Sequence, residues 1–327
     1  MNSYRTAGSA SIIISAVAAI AMIAATALLL PNLAPEGDYG ICLPSPNLWE
    51  IPCAGIPLNA ILMMIAIVIA IIINRRYSFV KGTEGILPTS MAILLATNPI
   101  NTSYFGTPIL MLLVNLVCLN IMMKSYRAPN ATMQMFSVAT YLSLGSMMQY
   151  SFLPMMIVYP IMALMTKTLR LKEAIAYILG LVAPYWVLIG FGIISPEECR
   201  IPQFLSIMPE YGSGYILFIF ISLGMLALTG LMMTLNNAML IYSGNLKVRT
   251  FNNMITLLGV VCVACMLIDF ENFQAYTSTF CFATSVQISN FFAIRRIPKS
   301  RIWFWSLMSL FIALYVLMLV DATMTNN

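Results

Sequence analysis

The chain has 327 residues, 61% of them apolar and 8% charged, with a mean hydropathy of +0.90; a soluble domain carries roughly 25% charged residues. Two soluble domains of roughly 150 residues would fit the length, but no stretch is polar enough and long enough to fold outside lipid, so one integral membrane domain over residues 1–327 is expected. Histidine is absent, which removes the commonest metal ligand and neutral-pH proton shuttle and excludes His-ligated zinc, His-ligated haem and Ser-His-Asp catalysis. No cofactor or metal is implied.

Apolar runs fall at 8–30, 55–73, 86–98, 107–123, 129–147, 151–166, 173–195, 213–234, 252–268, 275–293 and 302–320. Most approach the roughly 20 residues that cross a hydrocarbon core of about 30 Å, and only helices satisfy their own backbone in lipid. The expected fold class is therefore an all-α, polytopic helix bundle of about eleven transmembrane helices. With the N-terminus inside, alternation puts Arg5, Arg75, Arg76, Lys81, Lys124, Arg127, Lys167, Arg170, Lys172, Lys247, Arg249, Arg295, Arg296, Lys299 and Arg301 on the cytoplasmic side and only Arg200 outside. That is the positive-inside rule, and it predicts N-in and C-out. It also explains the net charge of +5 without nucleic acid; the bilayer is the partner. Glu36, Asp38, Glu50, Glu197, Glu198, Glu210, Asp269, Glu271 and Asp321 fall outside, where a solvated rim accounts for them.

Taken in chain order, the first run follows Arg5 but exceeds the 7–15 residues of a signal-peptide core, so it reads as an uncleaved helix. The loop from Pro31 to Gly55 carries Glu36, Asp38 and Glu50 with Cys42 and Cys53. An acid placed just after a first helix can act as a general base or hold a divalent cation, as in membrane glycosyltransferases that use lipid-linked donors. A proline-rich surface loop is the plainer reading.

Between Glu84 and Lys124 lie 39 residues that must cross twice and still accommodate the polar segment Asn98 to Gly106. Ile86 to Thr97 makes about 18 Å of helix, short of about 30 Å, so this segment should begin below the outer surface. The next hairpin, from Arg127 to Lys167, has the same spacing and turns near Gln149 and Tyr150. Asn98, Asn101, Thr102, Gln149 and Tyr150 are thus expected to line one recess, facing water or protein. Pro154 and Pro160 should kink the sixth run, and Pro184 the seventh.

No Asp, Glu, Lys or Arg lies mid-span, which disfavours proton-coupled transport. Asn115, Asn120, Gln287 and Asn290 are candidates for interhelical hydrogen bonds. Cys262 and Cys265 form a C-x-x-C inside an apolar run and read as small packing residues. Arg295, Arg296, Lys299 and Arg301, followed by Trp303 and Trp305, form a basic and aromatic belt suited to anionic headgroups.

The segment Asn74-Arg-Arg-Tyr-Ser-Phe79, then Leu87-Pro88 and Thr97-Asn-Pro99, and further on Gly180-Leu-Val-Ala-Pro-Tyr185, resembles an uncharacterised family of polytopic inner-membrane proteins of Bacteroidetes. The resemblance covers mainly residues 70 to 190. It implies a bacterial inner membrane and transfers no catalytic residue. A periplasmic outer face would permit disulfides, and Cys42 with Cys53, sharing one outer loop, is the candidate pair, two free thiols being the alternative.

Three functions stay open: handling of lipid-linked or envelope substrates by a transferase or polymerase-like factor, a permease or flippase without proton coupling, and a non-catalytic partner of an envelope complex.

Overall fold

In the computed structural model, the described residues are 9–29, 40–44, 55–80, 85–195, 197, 199, 213–241, 245–270, 272–294 and 300–325. They form helices alone: α1 (Ser9–Leu29), α2 (Gly55–Tyr77), α3 (Ile86–Ala96), α4 (Thr107–Lys124), α5 (Thr132–Met148), α6 (Leu153–Met165), α7 (Leu171–Gly190), α8 (Ser213–Ile241), α9 (Leu246–Ile268), α10 (Phe273–Ile294) and α11 (Ser300–Thr325). Two 3-10 turns, Pro99–Asn101 and Tyr150–Phe152, precede α4 and α6.

Each apolar run has become a helix, but the runs are not equivalent spans. Seven helices among the described residues are long and apolar enough to cross a membrane: α1, α2, α4, α7, α8, α9 and α11. With 11 and 13 residues, α3 and α6 reach only about 16 and 20 Å. Helix α5 has 17 residues. Helix α10 is long enough at 22 residues, yet Gln, Ser, Thr and Asn recur along it. The protein is an all-α, multi-pass helix bundle with seven long apolar candidate spans among the described residues.

The arrangement inverts that of a soluble bundle. Every residue of α3 and every residue from Asn272 to Asn290 is buried, and α10 packs on α3, α4, α8 and α9. Around them, Ile61, Met64, Ile65, Val68 and Ile72 of α2 and Ile175, Ile178, Leu179 and Val182 of α7 are exposed. Their spacing of three and four residues draws an apolar stripe on the outside of each helix. In lipid this stripe has its proper solvent, while polar groups need partners and turn inward.

The ends of the bundle differ. At one end the C-termini of α2, α4 and α6 meet the start of α9: Tyr77 and Tyr126 each pack edge-on against Phe251, with ring centroids 5.5 Å apart. Arg75, Arg76, Lys124, Arg127, Lys167, Lys247 and Arg249 belong to these segments. At α2 the chain stops because Asn74 accepts from Val80 N through Oδ1 (2.8 Å), and Ser78, at φ +50°, leaves the helix in the left-handed region; Phe79 is buried beyond it.

Helix α7 lies flush on α5. A Cβ at Gly180 would stand 2.5 Å from Phe136 O and 2.7 Å from Ala139 Cβ, so only glycine permits this approach. Ser143 Oγ donates to Leu181 O at 2.7 Å, and the Ser146 and Tyr185 hydroxyls lie 2.8 Å apart. Pro160 and Pro184 are interior to α6 and α7 as expected. Pro154 is not: it occupies the first turn of α6, where its missing N–H would have no helical partner anyway.

Candidate functional site

At the end opposite the basic collar, the chain after α3 cannot simply continue as helix. Pro99 has no N–H to donate, and the backbone turns through Asn101 N to Asn98 O (3.0 Å) and Ser103 N to Pro99 O (2.8 Å). This swings Asn101 against α10. Its Oδ1 accepts from Thr277 Oγ1 (2.6 Å) and Ser278 Oγ (2.8 Å), and its backbone carbonyl accepts from Asn59 Nδ2 of α2 (2.5 Å). One asparagine thereby ties together α2, the α3 turn and α10. Thr102 Oγ1 donates to Thr26 Oγ1 of α1 (3.4 Å), whose hydroxyl lies 2.8 Å from that of Tyr315 on α11. Tyr104 donates to Gln274 Oε1 at 2.8 Å. Asn98 is buried with them.

The second turn is built the same way. Helix α5 ends at Met148, and Gln149, in extended conformation, leads into the 3-10 turn at Tyr150. Gln149 Nε2 donates to Asn272 Oδ1 (3.2 Å), and Tyr150 OH donates to Asp269 Oδ1 (3.2 Å). Asn272 Nδ2 donates to Tyr150 OH and to Asp269 Oδ1 (3.4 Å), while Tyr276 OH donates to Asp269 Oδ2 (3.4 Å). Of the five expected recess residues, Asn101 reaches the first turns of α10, Gln149 and Tyr150 reach Asn272 and Asp269 just before it, Thr102 turns to Thr26 of α1, and Asn98 is buried beside them. All five are buried. Beside Asn101, Asn59 Oδ1 and Ser103 Oγ are buried without a hydrogen-bond partner.

The seam continues along α10. Asn115 of α4 donates to Thr279 Oγ1 (3.3 Å) and accepts from Tyr159 OH (3.0 Å). The hydroxyls of Ser90 and Ser289 lie 3.3 Å apart. Toward the basic end, Asn237 Nδ2 donates to Gln287 Oε1 (3.0 Å), Gln287 Nε2 to Thr256 Oγ1 (2.9 Å), and Asn290 Nδ2 to Asn252 Oδ1 (2.9 Å). Asn115, Gln287 and Asn290 thus make the interhelical bonds expected of them. At Asn120 it is the backbone carbonyl that accepts, from Tyr77 OH at 3.3 Å.

Sequence reasoning missed Asp269, Asn272, Gln274, Tyr276, Thr277 and Ser278. Asp269 had been assigned to a solvated acidic rim, yet it is 1% exposed, because the start of α10 folds over it and three side chains donate to it. The available signal was the run of Gln, Thr, Ser and Asn through residues 274–290 of an otherwise apolar stretch.

Elsewhere, Glu36, Asp38, Glu50 and Cys53 lie outside the described residues, as do Arg295, Arg296 and Lys299; Arg301 is exposed in the first turn of α11. Cys42 is half-buried on the end of α5, where Ile41 N, Cys42 N and Leu43 N all point to Met147 O at 3.0–3.2 Å. Burial, and then hydrogen bonding to the neighbouring Cys199 thiol, pushes its own thiol up to about 12.

No family model, curated relative or solved structure matches the chain.

Proposed function

We propose that this polytopic membrane protein is a permease-like carrier for a polar, hydrogen-bonding solute, with α10 as the helix that lines its path. The observation that carries this reading is the burial of α10 along a seam of uncharged donors and acceptors from Asn272 to Asn290. Uncharged polar side chains inside a membrane protein turn toward the bundle interior, where they bond to neighbouring helices or line a water-filled cavity. Helices α3, α5 and α6, too short to cross alone as straight rods, would complete an eleven-helix topology around the path. The basic collar supports a cytoplasmic face at that end. The resemblance to the Bacteroidetes family supports a bacterial inner membrane.

The test is cysteine scanning of the seam in a background lacking the native cysteines. Ser278→Cys, Ser285→Cys and Ser289→Cys are each exposed to a membrane-impermeant maleimide from either side of oriented vesicles, with Asn130→Cys at an exposed turn as a positive control. A path predicts labelling of Ser278→Cys from the outer side and of Ser289→Cys from the basic side. If all three stay unlabelled while the control reacts, the seam is packing alone and the carrier reading fails.

A further inference from the structure

The end of the α5–α7 pair opposite the basic collar brings together two thiols that no local motif connects. Cys42 lies in the segment after α1 and Cys199 in the segment after α7, yet their side chains share a hydrogen bond. Both are half-buried, whereas Cys118, Cys262, Cys265 and Cys281 are buried in the bundle. A reagent arriving from water meets this pair before those four.

Each thiol is delivered by a different backbone device. Residues 41–43 sit on the end of α5, where three successive N–H groups point to Met147 O. Helix α7 ends in a Schellman turn: Gly192 N donates to Ile189 O and Ile193 N to Leu188 O, both at 3.0 Å. Such a turn requires a left-handed residue, which Gly192 supplies at φ +68°. Ile194 is buried directly after it, so the chain is anchored to the bundle before it reaches Cys199. Tyr185 of α7, bonded to Ser146 of α5, lies within electrostatic reach of both thiols. The pair is thus placed over the seam between α5 and α7.

We propose that Cys42 and Cys199 close a disulfide in the mature protein, tying the segment after α1 to the segment after α7 across the outer end of α5. This partner differs from Cys53, which shares a loop with Cys42. The proposal rests on the outward orientation of this end, because disulfides form and persist on the outer side of a bacterial inner membrane. Both S–H bonds break and one Sγ–Sγ bond forms. The two electrons and two protons pass to the disulfide of a thiol oxidoreductase, through a mixed disulfide on one cysteine that the other displaces, and the oxidoreductase leaves as a dithiol. The bond would strap down the cap on Met147, two residues before Gln149.

For the test, bacterial cells producing the full chain are quenched in acid, which stops thiolate exchange. The protein is then alkylated unreduced, digested and read by mass spectrometry. The expected product is a peptide joining Cys42 to Cys199, present in the parent and in Cys53→Ser and absent from Cys199→Ser. The oxidised parent should also melt above the dithiothreitol-reduced parent, a shift that Cys42→Ser and Cys199→Ser lose. Recovery of Cys42 and Cys199 as alkylated thiols, or of Cys42 joined to Cys53, would overturn the proposal. In the first of these cases, purified reduced protein is titrated with oxidised glutathione. A Cys42–Cys199 link formed there places the error in the orientation of this end; no link places it in the juxtaposition of the two thiols.

Discussion

Helices α10 and α7 have similar lengths, 22 and 20 residues, and are held in the bundle by opposite means. Helix α10 is enclosed and bonded through its side chains to α3, α4, α8 and α9. Helix α7 is peripheral, with Ile178, Leu179, Val182 and Trp186 exposed, and it binds α5 largely by lying close to it at Gly180. Lipid tails are as apolar as leucine, so apolarity does not decide which helix goes inside. Polar groups decide for α10, because each needs a partner. Smallness decides for α7, because dispersion is gained only where backbones approach.

The largest expected effect sits at the end of the α5–α7 pair, where residues 41–43 cap α5 and carry Cys42 beside Cys199. An ordinary cysteine with a pKa near 9.0 is raised here to about 12, and reactivity follows the thiolate. A raised pKa keeps the thiol neutral, so at pH 8 Cys42 holds far less thiolate than an ordinary cysteine. In reduced protein, maleimide labelling at Cys42 should be slow at pH 8 and rise tenfold with each pH unit up to the limit of protein stability. Labelling at the rate of a free thiol would mean that this loop does not seat on α5.

Next is Gly180→Val. Its branched side chain would meet Phe136 O and Ala139 Cβ at distances no real Cβ adopts, and overpacking of this kind costs roughly 1–3 kcal/mol. With backbone as the obstacle the upper end is expected, measured as a lower unfolding midpoint in detergent. Gly224→Val on α8, where nothing lies within 4 Å of a Cβ, should change little by comparison. Equal midpoints for the two variants would remove close approach as the glue of α7.

The same contrast explains what the sequence could tell. Helix existence was legible almost everywhere because the apolar runs are interrupted by charged residues at one end of the bundle and by charged or uncharged polar turns at the other. The shortness of α3 was legible too, since Asn98-Pro99 follows only 12 residues after Ile86. Gly180 and Tyr185 stood out as a pattern, but their reason, the approach to Phe136 O and the contact with Ser146, needed the partner helix. The central place of α10 was not read, because an apolar-run count records length and passes over Gln274, Thr277 and Ser278. Asp269 was misassigned for a related reason: a carboxylate at a helix end looks solvated until the donors of Tyr150, Asn272 and Tyr276, two of them downstream and one 119 residues upstream, are brought to it.

The smallest expected effect tests the polar side of the comparison. If α10 is held by many modest bonds, no single pair should dominate, and the coupling between any two should be near 0.6 kcal/mol with about 1.7 as a ceiling. Asn237 and Gln287 provide the measurement. Asn237 Nδ2 donates to both the Gln287 side chain at 3.0 Å and its backbone carbonyl at 2.8 Å. Gln287→Ala therefore removes the first bond and keeps the second, whereas Asn237→Ala removes both. A double-mutant cycle isolates the side-chain bond and omits the backbone one, provided neither single variant creates new contacts. Unfolding midpoints for the four proteins should give a coupling of about 0.6 kcal/mol, roughly threefold in an equilibrium constant. A value of several kcal/mol would make this pair a keystone and the seam something other than distributed glue. A value of zero would mean that α10 is centred by shape, as α7 is, and the contrast between the two helices would disappear.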